Sequence, residues 1–103
     1  MGFEKVGSLA DLPAGALRQV KAGQQEIALC RVGDELHAVD GICPHLGGPL
    51  GHGALHGTAL VCPWHAWEFD CVTGEFSHNP DFHLRKFAVK VEEGDIFVDA
   101  GTA

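Results

Sequence analysis

The sequence predicts an all-β domain, and three observations carry that prediction. The segment "FAVKVEEGDIFVDA" alternates Phe87, Val89 and Val91 with Ala88, Lys90 and Glu92, then turns through "EEGD" into Ile96 and Val98. A period of two marks a strand with one buried face, and a glycine turn between two such runs makes a hairpin. Several further short runs of β-forming residues are separated by turn residues. No longer stretch keeps a helical period.

Taken in chain order, "VGSLADLPAG" reads as a short strand entering a helical turn that Ser8 caps and that Pro13 and Gly15 close. Strands are expected over residues 18–21, 26–32 and 35–40, with "GDE" turning between the last two. Residues 41–57 are rich in glycine and hold two prolines and three histidines, which is too irregular for a long strand. Residues 59–62 and 67–70 read as a strand pair joined by a tight turn over 62–65, and Thr73-Gly74 offers the next turn.

The chain of 103 residues sets an expectation of one domain over 1–103, with a core small enough to benefit from a metal staple. No run is apolar enough to span a membrane, and "MGFEKVGSL" lacks the features of a secretory signal, so a cytoplasmic protein is expected. In that compartment four cysteines point to metal binding or reactivity before disulfides. The net charge of −7 is unevenly placed: no lysine or arginine lies between Arg31 and Arg85, while that stretch holds seven carboxylates. A solvated acidic surface is the plain reading, and a docking face for a basic partner is the sharper one. Nucleic acid is disfavoured, because phosphate binding needs the opposite sign.

The chemistry concentrates in "CPHLGGPLGHGALHGTALVCPWH", residues 43–65. Cys43 and His45 form a C-x-H phrase, and Cys62 and His65 a C-x-x-H phrase after sixteen intervening residues. Thiolate and imidazole are ligands for iron, zinc and copper, so two loops presenting one of each make a four-ligand site. The prolines after both cysteines fix φ and stiffen the loops. Zinc suits C-x-x-C knuckles better than a C-x-H phrase broken by proline. A mononuclear copper site of two histidines and one thiolate leaves a cysteine over. A two-iron cluster with cysteines on one iron and histidines on the other needs one Cys-His pair per loop, which this sequence provides.

The spacing C-x-H-x(16)-C-x-x-H resembles the Rieske [2Fe–2S] signature. Downstream, "FDCVTGEF", the "NPD" turn and "LRKFAVKVEEGDIFV" resemble the tail of the small Rieske ferredoxins of bacterial oxygenases, and also the small Rieske-like subunit of nitrite reductase. The resemblance implies an antiparallel β-sandwich or barrel with a small cluster-binding subdomain of two metal-bearing loops. The basal part would be residues 1–40 and 82–103, and the subdomain residues 41–81. It further implies one [2Fe–2S] cluster, with Cys43 and Cys62 on the inner iron and His45 and His65 on the outer. Pro80 would sit in a third loop shielding the cluster.

The implied function is one-electron carriage from an NAD(P)H-dependent flavoprotein reductase to a terminal oxygenase, with no catalysis of its own. A subunit attached to a nitrite reductase large subunit is the alternative, and a zinc-stabilised interaction module is the alternative of another class. High-potential Rieske proteins join their two loops by a disulfide, whereas the corresponding positions here are Gly48 and Trp64. Those proteins also donate to the cluster sulfurs from a serine and a tyrosine, whereas here Trp67 stands at the serine position and the chain has no tyrosine. Fewer donors and an acidic surrounding predict a potential at the low end of the Rieske range, on the order of −150 mV.

Of the remaining candidates, Cys30 and Cys71 read as packing or surface thiols. His37, His52, His56, His78 and His83 read as loop or strand polar residues. Trp67 reads as packing beneath the site, and Trp64 as either packed or exposed for docking.

Overall fold

Alternation along the chain builds two antiparallel sheets. The computed structural model describes residues 2–43, 47–64 and 67–100. β1 (Glu4–Ser8) leads into a 3-10 turn (Leu9–Asp11), followed by β2 (Leu17–Ala22), β3 (Gln25–Val32) and β4 (Glu35–Asp40). A second 3-10 turn (Leu50–His52) precedes β5 (Ala54–His56), β6 (Ala59–Val61), β7 (Glu68–Asp70), β8 (Glu75–Phe76) and β9 (Asn79–His83). The chain closes with the hairpin of β10 (Lys86–Glu92) and β11 (Asp95–Asp99). The larger sheet has the order β1-β11-β10-β4-β3-β2, and β1 returns alongside β2, so it nearly closes into a barrel. The smaller sheet runs β5-β6-β7-β8-β9. No described helix is long and apolar enough to cross a membrane.

The two hydrophobic cores share β3 as their wall. Ile27 and Leu29 point into the barrel, where they pack with Leu12, Ala38, Ile96 and Val98. Ala28 and Cys30 point the other way, into a second core with Leu50, Leu60, Phe69 and Leu84. Residues 27–30 are therefore all buried, as befits a strand covered on both faces. The second core also contains Cys43 and Cys62, so the two candidate ligand cysteines are anchored in apolar packing.

The strands expected over 26–32 and 35–40 form nearly as read, as does the terminal hairpin. Some details differ. Ser8 makes no side-chain cap: it extends β1, and its hydroxyl donates instead to the Gly94 carbonyl at 3.4 Å. Val91 is exposed, because the alternation ends beside the turn where no core remains to cover it. The "NPD" segment belongs to β9, although the Asn79 side chain still accepts the Asp81 N–H at 3.1 Å, as in a turn.

Candidate metal centre

The first loop leaves β4 and folds back on itself. The Cys43 N–H donates to the Gly48 carbonyl, and the Gly47 N–H to the Cys43 carbonyl, both at 2.8 Å. An isolated bridge between Ile42 and Pro49 closes the base. The second loop sits at the end of the β6–β7 hairpin, where the Cys62 N–H donates to the Trp67 carbonyl at 2.7 Å. Cys43 and Cys62 are 1% and 2% exposed, and their thiols lie within hydrogen-bonding reach of each other. Two loops 19 positions apart in sequence thus bring two sulfurs together in an apolar pocket.

Burial pushes the Cys62 thiol up from its ordinary range, and the neighbouring Cys43 adds to that. The Trp64 backbone N–H acts the other way, donating to the Cys62 sulfur at 3.4 Å. A buried sulfur with an amide aimed at it suits a thiolate whose charge a metal shares. The donor set fits an iron–sulfur or other thiophilic group on this side. Among the described residues no group of three or more His, Cys, Asp or Glu converges to hold a metal ion. His45 and His65 lie outside the described residues.

The sequence of this chain matches the Rieske [2Fe–2S] domain over residues 2–91. The chain belongs to that family. Its cofactor is one [2Fe–2S] cluster. The Rieske chain is 34% identical to ferredoxin CarAc of Metapseudomonas resinovorans, covering 91% of this chain and 90% of that one. It is 35% identical to the ferredoxin component of the naphthalene 1,2-dioxygenase/salicylate 5-hydroxylase systems of Ralstonia sp., covering 82% of each. A match of 37% to human apoptosis-inducing factor 3 covers 87% of this chain but only 15% of that protein. Among solved structures, the ferredoxin of carbazole 1,9a-dioxygenase from Nocardioides aromaticivorans superposes with a TM-score of 0.86 at 26% identity, covering 95% of this chain and 97% of that one. A complex of reduced oxygenase and oxidised ferredoxin in carbazole 1,9a-dioxygenase contains a chain that superposes at 0.84 with 34% identity, covering 93% and 91%.

In this Rieske chain the two loops touch at Gly48 and Trp64. A Cβ built on Gly48 would lie 3.0 Å from the Trp64 indole and 3.2 Å from the Cys62 sulfur. Gly48 is therefore the residue that lets the indole close over the Cys62 side, and the two loops meet by packing. Trp64 remains 49% exposed, so its outer face is free for a partner. Trp67 packs beneath, stacked on Phe76 with ring centroids 4.3 Å apart. Pro80 lies in β9, and its side-chain surroundings fall outside the described residues.

Two features escaped the sequence reading. Cys30 and Cys71 are both fully buried and their thiols hydrogen-bond each other, which neither's spacing announced. Cys30 also has a histidine neighbour after all, because His37 is its direct partner across the β3–β4 ladder. The Nε2 of His37 is buried without a well-directed hydrogen bond, although Glu35 lies 3.3 Å away. A separate cleft of about 330 Å³ opens beside β7 and β8, between Glu68, Asp70 and Glu75 with Phe69 and Phe76, and none of its lining residues is a candidate ligand.

Proposed function

We propose that the chain is a cytoplasmic one-electron carrier, passing electrons from an NAD(P)H-dependent flavoprotein reductase to a terminal oxygenase. Cys43 and Cys62 hold one iron of its cluster, and His45 and His65 hold the other. Residues 41–81 form the cluster-binding unit on a basal domain of residues 1–40 and 82–103. The observation that carries the reading is the meeting of two buried cysteines from separate loops, each heading a Cys-His phrase. The ferredoxin relatives, covered over most of their length, support the carrier role.

When bound, the cluster supplies one reversible electron. The residues of this chain do the rest. Cys43 and Cys62 keep water from the inner edge, because their surroundings are Leu50, Leu60 and Phe69. The Trp64 N–H steadies the Cys62 sulfur. The exposed Trp64 indole and Ile42, 43% exposed, flank the loops and give a partner a small apolar landing. Brief contact suits a shuttle, since the reductase and the oxygenase must be visited in turn.

A second reading is the small Rieske subunit of a nitrite reductase-type complex; the match to 15% of a longer protein supports only that a Rieske unit can be part of a larger chain. The two differ in stoichiometry: a shuttle supports many turnovers at a small fraction of the oxygenase concentration, and a fixed unit does not. For the site itself, anaerobic reduction should give an EPR signal whose g values average below two. Cys43→Ser and His65→Cys should abolish or shift the visible absorption. An EPR-silent protein holding one zinc would overturn the electron-carrier reading.

A further inference from the structure

The loop carrying Cys43 leaves the barrel at Gly41 and rejoins it at Gly51, and one side chain ties those two points together. Gln19, on β2, accepts the Gly51 N–H at 2.7 Å through Oε1. Its Nε2 donates to the Gly41 carbonyl and to Oε1 of Glu26, each at 3.0 Å. Both amide hydrogens are thus used, and the oxygen accepts from the far end of the loop. The glycines are shaped to it. A Cβ at Gly41 would stand 2.7 Å from Gln19 Nε2, and one at Gly51 would press on the Gln19 backbone nitrogen and stand 2.6 Å from Oε1.

From this strut the order passes directly to the cysteine. The Gly41 carbonyl also accepts the Leu50 N–H at 2.9 Å, and the Gly41 N–H donates to the Glu26 carbonyl at 2.9 Å. The next rung is the Ile42–Pro49 bridge, and the one after it is the hydrogen bond from Cys43 to Gly48. Cys43 is two residues from the strut along a continuous ladder. Arg85 and Gln25 brace the neighbouring strand end, since Arg85 binds both Asp40, at 2.8 Å, and the Gln25 oxygen, at 2.9 Å. Among the side chains of the described residues, Gln19 is the one hydrogen-bonded to both ends of the loop.

We infer that Gln19 is a positioning residue for electron transfer, fixing the base of the Cys43 loop so that its sulfur holds the same place in both oxidation states. The inference rests on the proposal that Cys43 is a cluster ligand. Groups that orient a ligand govern how firmly a metal is kept and how far its site shifts when its charge changes. A loop tied at one end only would follow the added electron and slow the exchange.

Gln19→Met keeps the length and bulk of the side chain and removes all three hydrogen bonds. The double variant Gln19→Glu with Glu26→Gln restores an acceptor for Gly51 and a bond between residues 19 and 26. Three readouts on the cluster-loaded protein are release of iron to a chelator, EPR linewidth after reduction, and the rate of oxidation by ferricyanide. In Gln19→Met, iron release should rise about tenfold, the equivalent of one or two lost hydrogen bonds, at a temperature where circular dichroism shows an intact fold. The EPR lines should broaden and the oxidation rate should fall, and the double variant should recover most of each change. A control, Leu29→Val in the barrel core, is brought to the same melting temperature. Equal iron release in the control and in Gln19→Met, with unchanged linewidth, would overturn the inference.

If Gln19→Met does not fold, hydrogen exchange on the unaltered protein decides. The Gly51 amide should be protected, and exchange as fast as in an open turn would refute the strut. Cys43→Ser separates the two levels: retention of the cluster in that variant defeats the site assignment, whatever Gln19 does.

Discussion

Cys30 and Cys62 are both buried cysteines beside a second cysteine, and the backbone around each sulfur sets them apart. Cys62 has the Trp64 N–H directed at it, whereas Cys30 has the thiol of Cys71, the apolar core and His37 as its cross-strand neighbour. The hydrogen bond to Cys71 together with burial pushes the Cys30 thiol far above its ordinary range, so it stays protonated and unreactive. The same hydrogen bond lowers Cys71, but burial shields all four cysteines, so the folded, cluster-loaded protein should show no fast-reacting thiol toward a disulfide reagent until it is denatured. Cys30→Ala or Cys71→Ala should leave the visible spectrum unchanged and lower stability by about 1 kcal/mol, the cost of a small core truncation. Loss of colour in either variant would make that pair part of the metal site. At this scale the candidate ligand cysteines stood out in the sequence, because a cysteine and a proline closed by a histidine within three residues is a local pattern. The Cys30–Cys71 contact was not, since it joins a strand of one sheet to the end of a strand in the other, and the partnership of Cys30 with His37 depends on register.

Long elements could be read from the sequence, as could the short β6 and β7 from the turn residues between them, but β5 and β8 could not. β10 and β11 carry an apolar alternation that declares them, whereas β3 and β4 are declared by runs of β-forming residues bounded by turn signals. β5 and β8 have three and two residues, too few to show any period, and exist because β6 and β7 offer them edges. The same limit hid the joint between the sheets. Asp40 ends β4, and Arg85 follows β9, 45 positions later, yet Arg85 donates to Asp40 from both its side chain, at 2.8 Å, and its backbone N–H, at 2.7 Å. Asp40 raises the Arg85 guanidinium above its ordinary value through hydrogen bonding and charge. The Arg85 side chain is 64% exposed, so Arg85→Ala should cost only about 1 kcal/mol, and less in high salt. Asp40→Ala should cost more, about 2 kcal/mol, because the Arg85 backbone donor also loses its acceptor. Urea unfolding of both variants checks the order, and an Arg85 variant costing more than the Asp40 variant would show the backbone bond to be unimportant.

Over the whole molecule the acidic stretch divides in two. Its seven carboxylates looked alike in the sequence, but folding gives Asp40 to Arg85 and places Asp34 near Arg31, at 3.8 Å. The Asp70 carboxylate is turned inward, accepting the Val72 and Thr73 N–H groups. Glu68, Glu75 and Asp81, all exposed and without an ion pair among the described residues, remain on the sheet that carries the second cysteine loop. Glu35 lies at the end of β4 remote from the Cys43 loop. If the negative field guides a basic partner, it should act through Glu68, Glu75 and Asp81 and not through Glu35. Under the proposed carrier role, Glu68→Lys with Glu75→Lys should slow electron exchange with a basic partner protein about tenfold at low ionic strength, with the difference vanishing as salt screens the field. Removing negative charge near the cluster should also raise its midpoint potential from a starting value on the order of −150 mV, since the added electron is repelled less. Glu35→Lys should alter neither quantity. Stopped-flow rates across a salt series, with potentials measured on the same samples, separate steering from driving force. A rate that falls equally for Glu35→Lys would assign the effect to net charge alone, and a rate indifferent to salt would leave docking to Trp64 and Ile42.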